Sequence, residues 1–139
     1  MTWLAKPGLR CGLLSSAVIV PSLLLLSGCA SSAQLPAQHA AANFQAAVHN
    51  HDTEAACNLL SQESRSALEQ TSTQPCAVAL KALDLTTGAP RTVEVWGDNA
   101  QARLPDGVLF LAKFPAGWKI TGAECEAEPE DRYSCAVRS

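Results

Sequence analysis

Between residues 40 and 83, apolar residues recur at the three- and four-residue spacing of amphipathic helices. The apolar positions are Ala40, Ala41, Phe44, Ala47 and Val48 in a first helix, Ala55, Ala56, Leu59 and Leu60 in a second, and Ala79, Leu80 and Leu83 in a third. Asp52 or Thr53 is the expected N-cap of the second helix, and a further turn is expected to restart at Ser61 and to run through Ala67 and Leu68. Pro75 suits the first position of the third helix.

The second half changes to the two-residue alternation of β-strands, with turn residues between the alternating segments. The predicted strands cover residues 93–96, 100–104, 108–114 and 118–121, and Tyr133 to Val137 adds a short last strand. The segment Val108 to Phe114 is almost entirely apolar, which is typical of a central strand. We therefore expect an α+β fold in which three N-terminal helices pack on an antiparallel sheet of about four strands.

The N-terminus has the composition of an export signal. Lys6 and Arg10 provide positive charge, and the apolar stretch from Cys11 to Leu26 follows. This stretch is shorter than the roughly 20 residues that a membrane-spanning helix needs. Residues 1–28 are therefore predicted to be a removable signal peptide.

The four residues Leu26-Ser27-Gly28-Cys29 resemble the lipobox of bacterial lipoproteins. This resemblance implies that a diacylglycerol is attached to the Cys29 thiol and that cleavage makes Cys29 the first residue. The protein is then lipid-anchored to the cell membrane with its domain on the extracytoplasmic side. The small, polar residues 29–38 are predicted to be a flexible tether, and residues 39–139 the domain. The alternative is an ordinary secretory signal followed by a chance cysteine.

Four further cysteines, Cys57, Cys76, Cys125 and Cys135, lie in the predicted domain. An even number in a small exported domain indicates two disulfides, for which three pairings exist. Loop length favours Cys57–Cys76 and Cys125–Cys135. A zinc site is the alternative, but no pair has the two-to-four-residue spacing of structural zinc ligands.

The chain has a formal net charge of -3 and no basic run. Nucleic acid is therefore not expected as a partner, and neither is electrostatic binding to anionic lipid.

Two segments of the domain are distinctive. One is the helical segment from Phe44 through Ala47, Asp52 and Ala56-Cys57 to Leu59-Leu60-Ser61, and the other is the closing strand Gly117-Trp118-Lys119-Ile120-Thr121 with the cysteine loop after it. Through these two segments the domain resembles the NTF2-like (cystatin-like) superfamily. The resemblance implies a bent sheet that forms a cone with the N-terminal helix, as in small exported actinobacterial lipoproteins without assigned function. The sheet looks one or two strands short, which implies a shallow cone.

The sequence offers few candidates for catalysis. Enzymes of this superfamily use an acid inside the cone, but Glu94, Gln101 and Arg103 alternate with the apolar strand positions and so belong to the other face. Asp84, at a helix end, and Tyr133, in the cysteine loop, are poor candidates. We expect no enzyme activity and no cofactor.

Two further groups of polar residues were considered as metal sites. His49 and His51 lie two residues apart, a poor spacing for ligands on a helix, and a solvated turn is the preferred interpretation. The acidic residues Glu124, Glu126, Glu128, Glu130 and Asp131 could gather Ca²⁺ weakly, but a solvated loop is preferred. No metal site is expected.

Three functions are consistent with these features. The first is a non-catalytic interaction or accessory module of the cell envelope that docks on another envelope protein. The second is a protein that binds a small apolar ligand in the cone interior, where Trp96 and Trp118 are the candidate lining residues. The third is a minor enzyme of the isomerase or cyclase type.

Overall fold

The computed structural model of the protein describes residues 32–139. The predicted signal peptide, the lipobox and the lipid-attachment residue Cys29 lie outside the described residues. Four helices precede five strands: α1 (Gln34–His49), α2 (Thr53–Leu59), α3 (Gln62–Ser72), α4 (Cys76–Leu83), β1 (Thr92–Trp96), β2 (Asn99–Arg103), β3 (Val108–Phe114), β4 (Gly117–Glu128) and β5 (Arg132–Arg138). The strands form one antiparallel sheet in chain order. The α+β class is therefore confirmed, but the predicted numbers of helices and strands are wrong.

The extra helix is α3, which replaces the further turn expected to restart at Ser61, and the extended residues Leu60 and Ser61 separate it from α2. Leu60 has ψ 153° and Ser61 has ψ 158°. These two residues form a parallel β-bridge at Ile120, in which the Ser61 N–H donates to the Ile120 carbonyl at 2.8 Å. The Ser61 Oγ then accepts from the Ser64 N–H at 3.1 Å and caps α3. A tertiary contact thus separates α2 from α3.

The fifth strand arises from the segment that was predicted to be mainly a cysteine loop. This segment is a β-hairpin, in which β4 continues to Glu128 and β5 begins at Arg132. Cys125 and Cys135 are direct partners in this hairpin, with Cα atoms 4.0 Å apart, and they form a disulfide. The second disulfide joins Cys57 of α2 to Cys76 of α4. Both are the short-range pairs that loop length favoured.

The predicted boundary between tether and domain also changes. Helix α1 begins at Gln34, so residues 34–38, which were assigned to the tether, are helical. The Gln34 Nε2 donates to the Val93 carbonyl at 3.1 Å, and Ala37 is fully buried. These contacts hold the first turn of α1 against β1.

One face of the sheet, here called the inner face, packs against the helices. Val93, Ala102 and Leu109 are cross-strand neighbours on this face, and all three are buried. Helix α1 contacts β1, β2, β3 and β4, while α3 contacts β4 and β5. The pairing of β3 with β4 shifts register twice, between Val108 and Phe110 and between Phe110 and Leu111, and Glu124 of β4 has φ 50°. Irregularities of this kind generally bend a strand.

The opposite face, here called the outer face, carries no helix among the described residues. Phe110 and Tyr133 meet there edge to face, with ring centroids 4.9 Å apart. The Gln101 Nε2 donates to the Tyr133 hydroxyl at 3.2 Å. The amide of Gln101 is thereby satisfied although its side chain is buried against the sheet.

Candidate functional site

A groove with a volume of about 760 Å³ lies between α3, α4 and β5. Here it is called the β5 groove. Its helical walls are Ala67, Leu68, Thr71 and Ser72 of α3, Val78, Ala79, Ala82 and Leu83 of α4, and Gln74 between the helices. Its third wall is the segment Ser134–Ser139. The volume falls within the roughly 300–1,000 Å³ that small-ligand sites occupy.

The helical walls follow directly from helix periodicity. On each helix the lining residues are two adjacent pairs that lie four positions apart, the spacing of a single helix face. Leu68 and Ala79 are buried and belong to the core, whereas Val78 is 52% exposed. Val78 and Ala82 therefore extend the apolar surface of α4 beyond the part that the core covers.

A short polar network connects α3 to α4. The Glu69 carboxylate accepts from the Cys76 N–H at 3.2 Å, so that a side chain of α3 satisfies the first turn of α4. The Ser72 Oγ donates to the Leu68 carbonyl at 2.7 Å and accepts from the Gln74 N–H at 3.2 Å. These contacts join the two helical walls of the β5 groove, and the Cys57–Cys76 bond ties α4 to α2 on its other side.

The strand wall of the groove has an unusual property, since six consecutive residues line it. Successive side chains of a strand point to opposite faces, so a pocket on one face would touch every second residue. Contact with every residue from Ser134 to Ser139 places the groove along the edge of β5. Because β5 is the last strand in the sheet order, no strand of residues 32–139 pairs with this edge.

The electrostatics of the β5 groove are simple. Among the described residues, Arg138 is the one charged residue that lines it. The remaining polar side chains are hydroxyls and the Gln74 amide, and none of the described lining side chains carries a carboxylate or an imidazole. The site can therefore bind apolar and hydrogen-bonding groups and attract an anion at the Arg138 end.

The two candidate tryptophans are not brought together. Trp96 follows the inward-facing Val95 and pairs with Asn99, which places it on the outer face, 50% exposed. There it borders a shallow depression of about 360 Å³, whose floor includes Phe110 and Gly122. Trp118 is buried in the core on the inner face. The two side chains thus lie on opposite faces and cannot line one cavity.

The other polar candidates are dispersed. His49 and His51 both border a depression of about 300 Å³ at the end of α1, beside Lys81 and Asp84. Glu124 accepts from the Thr86 N–H at 3.2 Å, and Glu130 forms an exposed ion pair with Arg132 at 3.4 Å. Within residues 32–139, no group of three or more His, Cys, Asp or Glu side chains has the arrangement of a metal site.

Sequence reasoning did not identify the β5 groove. The signal that could have indicated it is the breadth of the apolar surface on α4, where Val78 and Ala82 lie outside the stripe Ala79, Leu80 and Leu83. A helix that is apolar on more than one face needs a second covering surface. Which surface faces Val78 depends on the position of β5, and this is a tertiary property.

No known protein-family model, curated protein or solved structure matches this chain. Among residues 32–139, the helices are too short or too polar for any of them to cross a bilayer.

Proposed function

We propose that this protein is a lipid-anchored, exported, non-catalytic module that docks on another envelope protein through the β5 groove. The observation that carries the proposal is the groove itself, in which exposed apolar residues of α4 lie beside an unpaired strand edge. A groove that combines apolar side chains with a few polar groups is a common form of binding site. The absence of acidic and imidazole groups from the lining residues supports binding without chemistry.

The position of α1 supports a membrane-proximal module whose groove stays accessible. Since α1 begins at Gln34, only residues 29–33 separate the proposed lipid from the helix, a span of at most about 17 Å when fully extended. The first turn of α1 lies beside β1, at the opposite edge of the sheet from β5. The anchor therefore holds the β1 edge near the bilayer and leaves the β5 groove at the far edge.

Site-specific photocrosslinking in intact cells tests the docking. A photoreactive residue at Ala82, inside the groove, is expected to form a discrete adduct heavier than the monomer. Val78→Asp should abolish this adduct, because it places a charge on the apolar wall. Leu35→Asp is the matched control, since Leu35 is a similarly exposed apolar residue, 60% exposed, on α1 away from the groove. The adduct should therefore form in Leu35→Asp. An adduct from Ala82 that persists in Val78→Asp contradicts docking through the groove, and so does the same adduct from a photoreactive residue placed at position 35.

The anchor has a separate test. Cys29→Ala removes the proposed acceptor of the lipid and should move the protein from the membrane fraction to the soluble fraction. Mass analysis of the membrane form should find two or more acyl chains at its N-terminus, because a single chain gives only marginal anchoring. A Cys29→Ala variant that remains in the membrane fraction contradicts the anchor.

The volume of the β5 groove favours a second candidate, a protein that binds a small apolar ligand in this groove. This site differs from the cone interior expected from the sequence, because no residue of α1 or of β1 to β4 lines it. In this case apolar metabolites should raise the melting temperature of the protein, and Val78→Asp should remove the shift while Leu35→Asp retains it. If a panel of fatty acids and isoprenoids leaves the melting temperatures of the protein and of both variants unchanged, this candidate is excluded.

A further inference from the structure

The free edge of β5 determines what kind of partner the groove can hold; this step rests on the docking function proposed above. An edge strand presents a row of backbone N–H and C=O groups without strand partners. Here that row lies inside an apolar groove, because Ser134–Ser139 line it together with α3 and α4. A partner that covers the groove must satisfy these groups, since a buried unpaired backbone group is costly.

The edge of β5 lacks the usual protection against strand pairing. Natural edge strands are commonly blunted by proline, by charged side chains in mid-strand or by a covering element. Between its terminal residues Arg132 and Arg138, β5 reads Tyr-Ser-Cys-Ala-Val and contains neither proline nor charge. The disulfide from Cys135 to Cys125 also fixes the strand to β4, so the edge is presented rigidly.

We infer that the β5 groove binds an extended peptide segment of another protein, which adds to the sheet as a sixth strand. The peptide's main chain bonds to the edge of β5, and every second side chain faces the wall formed by Val78 and Ala82. Small or medium apolar residues suit these alternate positions. The segment Ser134–Ser139, five residues of β5 and the residue after it, corresponds to a peptide of about six residues, roughly 20 Å long.

The positive charge of Arg138 indicates that the bound peptide carries an acidic group at one end. Arg138 is exposed and lies at the end of the strand wall. An acidic side chain or a terminal carboxylate at the matching end of the peptide would pair with its guanidinium. A hydrocarbon ligand would instead leave the edge N–H and C=O groups without partners, so a peptide fits this surface better than a lipid does.

Peptide selection on the full-length protein in detergent tests this inference. Phage-displayed random heptapeptides are selected, and the most enriched sequence is synthesised. The selected peptides are expected to alternate apolar residues and to carry an acidic group at one end. Val78→Asp and Ala82→Asp should each weaken binding of the synthetic peptide at least tenfold, while Leu35→Asp should leave it unchanged.

Backbone methylation distinguishes strand addition from side-chain binding. N-methylation of alternate peptide amides should weaken binding at least tenfold, and methylation of the intervening amides should have little effect. Amide hydrogen exchange of residues 134–138 should slow when the peptide is bound. Binding that tolerates every N-methyl group, or that leaves this exchange unchanged, overturns strand addition.

The remaining outcomes separate this inference from the docking function. If the Ala82 photocrosslink forms in cells but no selected peptide depends on Val78, docking stands and strand addition fails. A concentration-dependent dimer that Val78→Asp dissolves would show that a second copy occupies the edge, which also overturns the inference. If the native protein forms no photocrosslink from Ala82 and binds no selected peptide, the docking function itself is refuted.

Discussion

The Ser64 Oγ, in the first turn of α3, donates a hydrogen bond of 3.0 Å to the backbone carbonyl of Thr121 in β4. Ser64 is fully buried, and its Oγ lies 2.9 Å from the Oγ of Ser61. Two small hydroxyl side chains thus join the start of α3 to the middle of the sheet. This junction sets the position of α3 and therefore of one wall of the β5 groove.

Replacement of this hydroxyl should destabilise the domain moderately. Ser64→Ala is expected to lower the free energy of unfolding by about 1 kcal/mol, because it removes one buried hydrogen bond. Urea denaturation followed by circular dichroism measures the change. Ser66→Ala, on the same helix at a partly exposed position, is the control and should be nearly neutral. Equal losses from both variants would contradict a specific role for the Ser64–Thr121 bond.

Gln45 should order the segment that connects α4 to β1, because its side chain bonds to Gly88 in that segment. Its side chain is 5% exposed, and its Oε1 accepts from the Gly88 N–H at 3.0 Å. Gln45→Ala should cost about 1–2 kcal/mol, since it leaves that N–H without its partner. Hydrogen exchange at Gly88 should accelerate in the variant, whereas exchange in β3 should not. Unchanged exchange at Gly88 would mean that this bond does not order the connection.

Gly122 is required by the disulfide beside it. A Cβ at this position would lie 3.1 Å from the Cys125 Sγ and 3.4 Å from the Cys135 Sγ. Gly122→Ala should therefore destabilise the protein by roughly 1–3 kcal/mol. In a Cys125→Ala/Cys135→Ala background the sulfurs are absent, so the same substitution should cost clearly less. A double-mutant cycle measured by urea denaturation gives the coupling, and a coupling of zero contradicts the steric explanation.

The two domain tryptophans should differ in fluorescence. In a Trp3→Phe background, Trp96→Phe leaves the buried Trp118, which should emit at short wavelength and resist quenching by iodide. Trp118→Phe leaves the half-exposed Trp96, which should emit at longer wavelength and be quenched readily. The order of the two Stern–Volmer slopes tests the opposite placement of these residues. Equal slopes would show that the placement is wrong.

The disulfide between α2 and α4 should contribute substantially to stability. It closes a loop with a sequence separation of 19. The chain-entropy estimate for such a loop is about 3 kcal/mol. Cys57→Ala/Cys76→Ala should therefore lower the free energy of unfolding by this order, and it should expose the groove walls to faster hydrogen exchange. A double variant as stable as the native protein would show that the helix packing alone suffices.

Local chemistry was sufficient to predict much of the helical half. Asp52 was one of two expected N-caps, and its carboxylate accepts from the Ala55 N–H at 3.1 Å. Capping depends on groups within four residues, so the sequence contains all the participants. The disulfide pairs were favoured for the same reason, since each joins segments that are neighbours along the chain.

The break at Leu60 could not be read from periodicity. Residues 55–60 and 64–68 continue a helical pattern, and the residue that opposes it is Ile120, 60 positions away. The edge strand β5 also depends on tertiary contacts, because Tyr133 to Val137 belong to a full strand only through pairing with β4. Such pairings depend on contacts between distant segments.

The sequence by itself determined the α+β class, the class of each main element and the apolar face that each one buries, because periodicity and capping are local. Only the tertiary structure decided which apolar faces cover one another. It placed Trp96 and Trp118 on opposite sides of the sheet and left Val78 beside the unpaired edge of β5. The physical reason is that a hydrophobic pattern specifies that a surface needs a partner, whereas the identity of that partner depends on how the elements pack together.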